Sequence, residues 1–154
     1  MHWTATDTLT WSDFKGKPDF SKRYLAISST GISYSFHYSE KRFAYKVNAF
    51  FNRSRSWKKA TAGYKVLKHE QGHFDITEIF ARKLYEALQN YKFNKRSFKK
   101  DIGEIYQSIV SQKEEMQKAY DGETDHSRNR KLQYEWLEKI QGLLNETAGY
   151  SNYP

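Results

Sequence analysis

The hydrophobic period of the chain changes once, near Thr61, and that change constrains the fold more than any other feature. Before it the pattern alternates. From Ile32 onward, Ile32, Tyr34, Phe36 and Tyr38 fall on one face and Ser33, Ser35 and His37 on the other, the signature of a half-buried strand. KRFAYKVNAFFN, residues 41 to 52, alternates too, with Phe43, Tyr45, Val47, Ala49 and Phe51 opposite Arg42, Lys46, Asn48 and Phe50. The short Ser39-Glu40-Lys41 link between the two runs predicts an antiparallel hairpin, and Ser29-Thr30-Gly31 predicts a turn before it. LTWSDFKGKPDF, residues 9 to 20, begins strand-like and turns at Gly16 to Asp19.

After Thr61 the spacing becomes helical. Leu67, Ile76, Phe80, Leu84 and Leu88 predict a long helix ending near Asn90. Ile102, Ile105, Ile109, Met116 and Tyr120 predict a second, about Phe98 to Tyr120, broken by DGETDHS. Leu132, Trp136, Leu137, Ile140 and Leu144 predict a third, about Arg128 to Asn145. Strands followed by helices indicate an α+β fold: an N-terminal antiparallel β-sheet packed on the long helix, with two further C-terminal helices. The 154 residues fit a single domain, 1–154, large enough to bury a core without disulfide or metal staples.

The first long helix carries HEQGH, residues 69 to 73, an HExxH pattern. Residues four apart lie one turn apart on the same side of a helix, so His69 and His73 can aim both imidazoles at one ion. Glu70 is turned about 100° from His69, where it can flank the ion without binding it and take a proton from a metal-bound water. Zinc lowers the pKa of such a water towards ~7. The alternative is two histidines that merely share a helix face; a chance match is expected on the order of once in a hundred such sequences. Gly72 inside the helix leaves room beside the metal or for close packing.

A catalytic zinc usually takes three protein ligands and keeps one open position. In the metzincin pattern a Gly and a His follow the second His by three and six positions; here those positions hold Ile76 and Ile79. The glutamate that thermolysin-like enzymes place about twenty residues downstream has no counterpart, because no acid lies around Phe93. Asp75 and Glu78 face away from His69, and Glu78 is spaced to pair with Arg82. His37, His126 and Asp125 remain as candidates for the third ligand. His37 lies on a serine-lined strand face and is expected towards solvent.

The remaining totals narrow the function classes. There is no cysteine, which excludes a disulfide framework and any Cys-based zinc site. No apolar run approaches the roughly 20 residues that span a bilayer, so no transmembrane segment is expected. The net charge of +8 is compatible with lysine-covered helices, and KFNKRSFKK, residues 92 to 100, reads as a solvated loop between helices. FFNRSRSWKK, residues 50 to 59, interleaves aromatics with cations as a polyanion-binding surface would. The simpler reading packs Trp57 on the core, and nucleic acid is not expected as a partner. The sequence sets no oligomeric state.

HEQGHFDITEIFARKL (residues 69 to 84), YDGETDHSRNRKLQYEW (residues 120 to 136) and LTWSDFKGKPD (residues 9 to 19) together resemble a bacterial family of predicted secreted zinc-dependent proteases, a domain-of-unknown-function family with a zincin-type motif. The similarity covers most of the chain. It implies a zinc metallopeptidase of zincin-like fold, with His69, His73 and His126 as metal ligands, Glu70 as general base, and a peptide or protein as substrate. It also implies export, so that the chain is the mature form of a secreted or periplasmic protein. The usual Gly after the second-element histidine is Ser127 here. A zincin-like architecture implies an edge strand beside the cleft, for which residues 41 to 52 are the candidate. The second helix can return along the HExxH helix and deliver DGETDHS to the metal, where Asp125 would be a ligand or a partner of His126. Tyr120, Tyr134 or His37 would stabilise the oxyanion. Two alternatives stand beside this expectation: a non-catalytic zinc module that binds a polyanion or glycan, and a zinc amidase acting on a cell-wall substrate.

Overall fold

The computed structural model describes residues 1–39 and 42–151. Its architecture is α+β, with three helices and two small antiparallel sheets. β1 (Ala26–Ile27) pairs with β4 (Trp57–Lys58), and β2 (Thr30–Ser39) pairs with β3 (Arg42–Phe51). The link expected at Glu40 and Lys41 lies outside the described residues, but the antiparallel pairing of the two long strands is as expected. Ile32 faces Ala49, Tyr34 faces Val47 and Phe36 faces Tyr45, so the apolar sides of both strands share one face.

The helices are α1 (Tyr64–Gln89), α2 (Phe98–Thr124) and α3 (Arg130–Glu146). α1 lies between the β2–β3 hairpin and the α2–α3 pair, and packs on both. Its middle is therefore buried nearly all round: Phe74, Ile76, Ile79, Ala81 and Leu84 are fully enclosed. Val47 and Phe51 meet it from β3, and Ile102, Tyr120, Trp136 and Ile140 from the other side. Each such large side chain contributes about 1.5–3 kcal/mol on burial. Glu78 and Arg82 pair as their spacing predicts, at 2.8 Å. Both are buried, and Arg82 also donates to the Leu144 carbonyl of α3 at 2.8 Å. Removing one partner of such a buried pair costs about 3–5 kcal/mol.

Four local expectations are corrected. Thr30 and Gly31 belong to β2 rather than to a turn: Gly31 pairs with Phe50, whose ring occupies the space a side chain would fill, with Cζ 2.6 Å from an added Cβ. Residues 9 to 20 form no strand; Trp11–Asp13 is a 3₁₀ turn, closed by Asp13 accepting from the Thr10 amide and hydroxyl, each at 2.9 Å. α2 runs four residues past Tyr120, to Thr124, because the turn-forming residues at 121 to 124 follow a packed helix that carries them along. Finally, β3 does not border the site described below. The N-terminal residues cover its outer edge, where the Trp3 amide donates to the Ala49 carbonyl at 3.1 Å.

Candidate metal centre

His69 and His73 sit on the second and third turns of α1, facing α2 and α3. Each ring is held from behind by a glutamine. His69 Nδ1 lies 2.8 Å from Gln133 Oε1, and the same amide donates through Nε2 to the Tyr120 hydroxyl at 2.7 Å. The Tyr120 hydroxyl in turn donates to the His69 carbonyl at 3.2 Å. His73 Nδ1 makes a short hydrogen bond with Gln117 Oε1, whose Nε2 donates to the His73 carbonyl at 2.9 Å. Because both glutamines use their N–H groups elsewhere, their oxygens face the rings, and the imidazoles must carry their protons on Nδ1.

That assignment leaves Nε2 of both rings pointing forward, each 3.0 Å from Asp121 Oδ1. A neutral imidazole protonated at Nδ1 offers only a lone pair at Nε2, and a carboxylate oxygen offers only lone pairs. Acceptors brought this close need a cation between them, either protons on the rings or a metal ion. Burial alone would raise the Asp121 carboxyl, but the two imidazoles hold it well below the usual carboxylate range. Burial likewise opposes charge on His73, yet the Asp121 hydrogen bond and the Glu70 and Asp121 charges raise it above its ordinary value. Among the described residues, His69, His73 and Asp121 form a group whose donor atoms all lie within 4.8 Å of one another. Imidazole nitrogen and carboxylate oxygen are both ordinary zinc donors, so the residues fit such an ion.

Glu70 is buried beside this group, and its Oε2 has no hydrogen-bond partner among the described residues. A buried carboxylate oxygen without a partner is costly, on the order of 1–3 kcal/mol or more. It lines a cleft of about 190 Å³ together with His69, His73, Asp121, His126 and the segment Tyr24–Ser28. The strand that borders the cleft is thus β1. Leu25 accepts from the Lys59 amide at 2.7 Å on the β4 side. By strand alternation the backbone groups of Ala26 and Ser28 face the other way.

His126 reaches the same place by a different route. The Asp125 C-cap of α2, His126 and Ser127 all have positive φ, at 47°, 50° and 73°. Left-handed backbone costs a side-chain-bearing residue roughly 1–2 kcal/mol, and here the surroundings hold it: the His126 amide donates to the Asp121 carbonyl at 3.0 Å and the Asn129 amide to the Thr124 carbonyl at 2.9 Å. Ser127, where the resembling family usually has Gly, takes the conformation that favours glycine. The loop sets His126 Nδ1 3.2 Å from Asp121 Oδ1, with its ring 4.4 Å from that of Tyr24.

The other expected residues are elsewhere. Asp125 points to solvent and pairs with Arg128 at 3.2 Å. His37 is exposed on the outer face of β2, as expected, and cannot serve an oxyanion at the cleft. Tyr134 is exposed on α3, and the Tyr120 hydroxyl is spent on His69 and Gln133. Gly72 serves close packing: an added Cβ would lie 2.8 Å from Tyr120 Cζ and nearer still to its hydroxyl. Sequence reasoning missed Asp121, Gln117, Gln133 and Tyr24. The signal for the first two was present, since Gln117 and Asp121 stand four apart on one helix face, as His69 and His73 do.

The chain belongs to the family described as a bacterial protein of unknown function (DUF922), which matches residues 2–127. No curated protein and no solved structure matches it. The match covers every cleft-lining residue but stops short of Gln133.

Proposed function

For this member of the family we propose zinc-dependent hydrolysis of peptide bonds, with His69, His73 and Asp121 as ligands and Glu70 as general base. One observation carries the reading: two imidazoles hydrogen-bonded to glutamine oxygens at Nδ1 aim their Nε2 atoms at one carboxylate oxygen, 3.0 Å from each, beside a buried glutamate with an unpartnered oxygen. When bound, zinc supplies Lewis-acid chemistry, acidifying water and polarising a carbonyl. Glu70 takes the proton of the attacking water and returns it to the leaving amine. An extended substrate lies against β1, where the Ala26 and Ser28 backbone groups are oriented to pair with it. His126 and Tyr24 line the cleft wall and carry groups able to donate to a substrate carbonyl. Three protein ligands leave the open position that catalysis requires, whereas adding His126 as a fourth would close it. The expectation placed His126 among the ligands; the proposal gives that place to Asp121, because its carboxylate is the atom on which all three imidazoles converge.

The test pairs metal content with cleavage of an unfolded protein. Glu70→Ala should keep the metal and lose at least about a hundredfold in rate. In the same assay Asp121→Ala should lose metal, while His126→Ala keeps it with reduced rate. Unchanged cleavage by Glu70→Ala removes the peptidase reading, and metal loss confined to His126→Ala returns the third-ligand role to that residue.

A further inference from the structure

The end of the molecule remote from the cleft carries a second unexplained feature. The outer half of the β2–β3 hairpin lies beside the C-terminal end of α1, where Tyr38, Phe43 and Tyr45 line a cleft with Leu88, Gln89 and Tyr91. There Phe36, Tyr38, Phe43, Phe93 and Phe98 form one cluster, with ring centroids 4.5 Å apart for Phe43–Phe93, 4.8 Å for Tyr38–Phe43 and 5.7 Å for Phe43–Phe98. The cluster is not covered: Phe36, Tyr38 and Phe93 are 38%, 53% and 44% exposed. Contiguous exposed aromatics are a sign of an interaction site, unlike scattered ones.

The collar of this cluster is cationic. Lys92, Lys95, Arg96, Lys99 and Lys100 are all exposed, and residues 92 to 100 contain no acid. Lys100 has a loose partner in Glu104 at 3.7 Å. The other four have no ion-pair partner among the described residues. Asp101, the nearest acid in sequence, accepts instead from the Tyr91 and Ser97 hydroxyls, at 2.6 and 2.7 Å.

We propose that this end docks on an anionic lipid surface, with the aromatic cluster at headgroup depth and the lysine collar against the lipid phosphates. Aromatic rings favour the membrane–water interface, and clustered cations add attraction to anionic headgroups. A soluble polyanion is the competing partner, and the ring geometry decides against it. Stacking of bases or sugars needs open ring faces. Here every ring is packed against a neighbour: Tyr38 stacks on Phe93 at 24° and 5.8 Å, Phe43 meets Phe93 at 44° and 4.5 Å, and Phe36 stands edge-on to Phe98 at 87° and 5.7 Å. The exposed side-chain surface of Phe36 and Phe93 is wholly hydrocarbon, suited to insertion. The patch lies sixteen residues along α1 from His73, roughly 24 Å at 1.5 Å per residue, so docking leaves the cleft open.

The probe is co-sedimentation of the full chain with vesicles of phosphatidylcholine alone or with phosphatidylglycerol as the minor component. Binding is expected only to the anionic vesicles. Each of Lys92→Gln, Lys95→Gln and Arg96→Gln should lower it about fivefold, and Tyr38→Ser with Phe93→Ser about tenfold. Lys92, Lys95 and Arg96 are exposed, so the melting temperatures of their variants should stay near that of the unaltered chain; the serine pair also loses ring contacts and is assayed well below its own melting temperature. Phe93→Trp should retain binding and shift its fluorescence to the blue on anionic vesicles. No binding to anionic vesicles overturns the proposal. So does binding that the serine pair leaves unchanged while heparin competes fully, which assigns the collar to soluble polyanions.

Discussion

The two ends of α1 depart from ordinary packing in opposite directions. At the cleft end, polar groups are buried: His69 and Glu70 are 2% and 3% exposed, with Gln133 beside them. At the far end, aromatics of the sheet's core face stand in water. Folding alone favours neither arrangement, and buried polar groups and exposed apolar patches are the informative exceptions to hydrophobic burial. The difference lies in how each exception is held. Both histidine rings are held at Nδ1 by glutamines whose N–H groups are themselves engaged, Gln133 on Tyr120 and Gln117 on the His73 carbonyl, so that end is built for one geometry. The aromatic end is held by ring contacts and has no directional constraint, which suits a surface that meets an irregular partner.

The largest expected effect breaks the cleft end's precision without touching a ligand. Gln133→Ala removes the acceptor of His69 Nδ1 and the donor to Tyr120 together. Partners that orient metal-binding histidines are worth about 10–100-fold in affinity. On the proposed zinc reading, affinity measured by chelator competition should fall by that factor. Gln133→Glu keeps an acceptor for the ring and should recover most of the loss. An affinity unchanged in Gln133→Ala would mean that the imidazole needs no holding, and the contrast between the two ends would weaken.

How far this contrast was legible beforehand depends on which interactions carry it. Periodicity located β2, β3 and all three helices, because the core of each is a single apolar face. HExxH marked His69, Glu70 and His73 as candidates, because two ligands and a base can fit within one helix turn and a half. Asp121 was lost to a local preference: Asp-Gly reads as a helix end, but Tyr120 and Thr124, both fully buried, keep α2 wound through it. Gln133 was illegible for another reason. Its role exists only once α3 lies beside Tyr120, and a lone glutamine on a helix carries no pattern. At the far end, KFNKRSFKK reads as a solvated loop and is one as far as residue 97, with Phe98 opening α2; yet Phe93 and Phe98 join rings from a hairpin about fifty residues earlier.

A smaller effect is expected at Gly72, where the Tyr120 ring of α2 packs directly on the α1 backbone. Gly72→Ala gains up to ~1 kcal/mol of helix propensity. Against this, its Cβ would fall within 3 Å of the Tyr120 ring, which is backed by Gln133 and Trp136 and cannot retreat. Overpacking of this kind costs about 1–3 kcal/mol. The net should be destabilising by about 1–2 kcal/mol in urea unfolding, with weaker zinc binding because α2 carries Asp121. A stabilised Gly72→Ala would show that α2 shifts freely, and the cleft end would then be no more rigid than the aromatic end.

The smallest effect belongs to the far end, where one carboxylate ties down the loop that carries Phe93. Asp101 accepts from Tyr91 and Ser97, and those two hydrogen bonds hold its carboxyl below the ordinary value of 3.8. A carboxyl with a depressed folded-state pKa adds stability that is complete above its unfolded pKa. That stability is lost as pH falls through the lower folded-state value. Asp101→Asn should therefore melt slightly below the unaltered chain at neutral pH, and the gap should close as the pH is taken below 3.8. The site is solvent-screened, so the shift in melting temperature should be small beside that of Gly72→Ala. A gap that persists unchanged at acid pH would trace the tie to the neutral hydrogen bonds alone. A gap absent at every pH would leave the loop anchored by ring contacts only, which is the freer arrangement that the comparison assigns to this end.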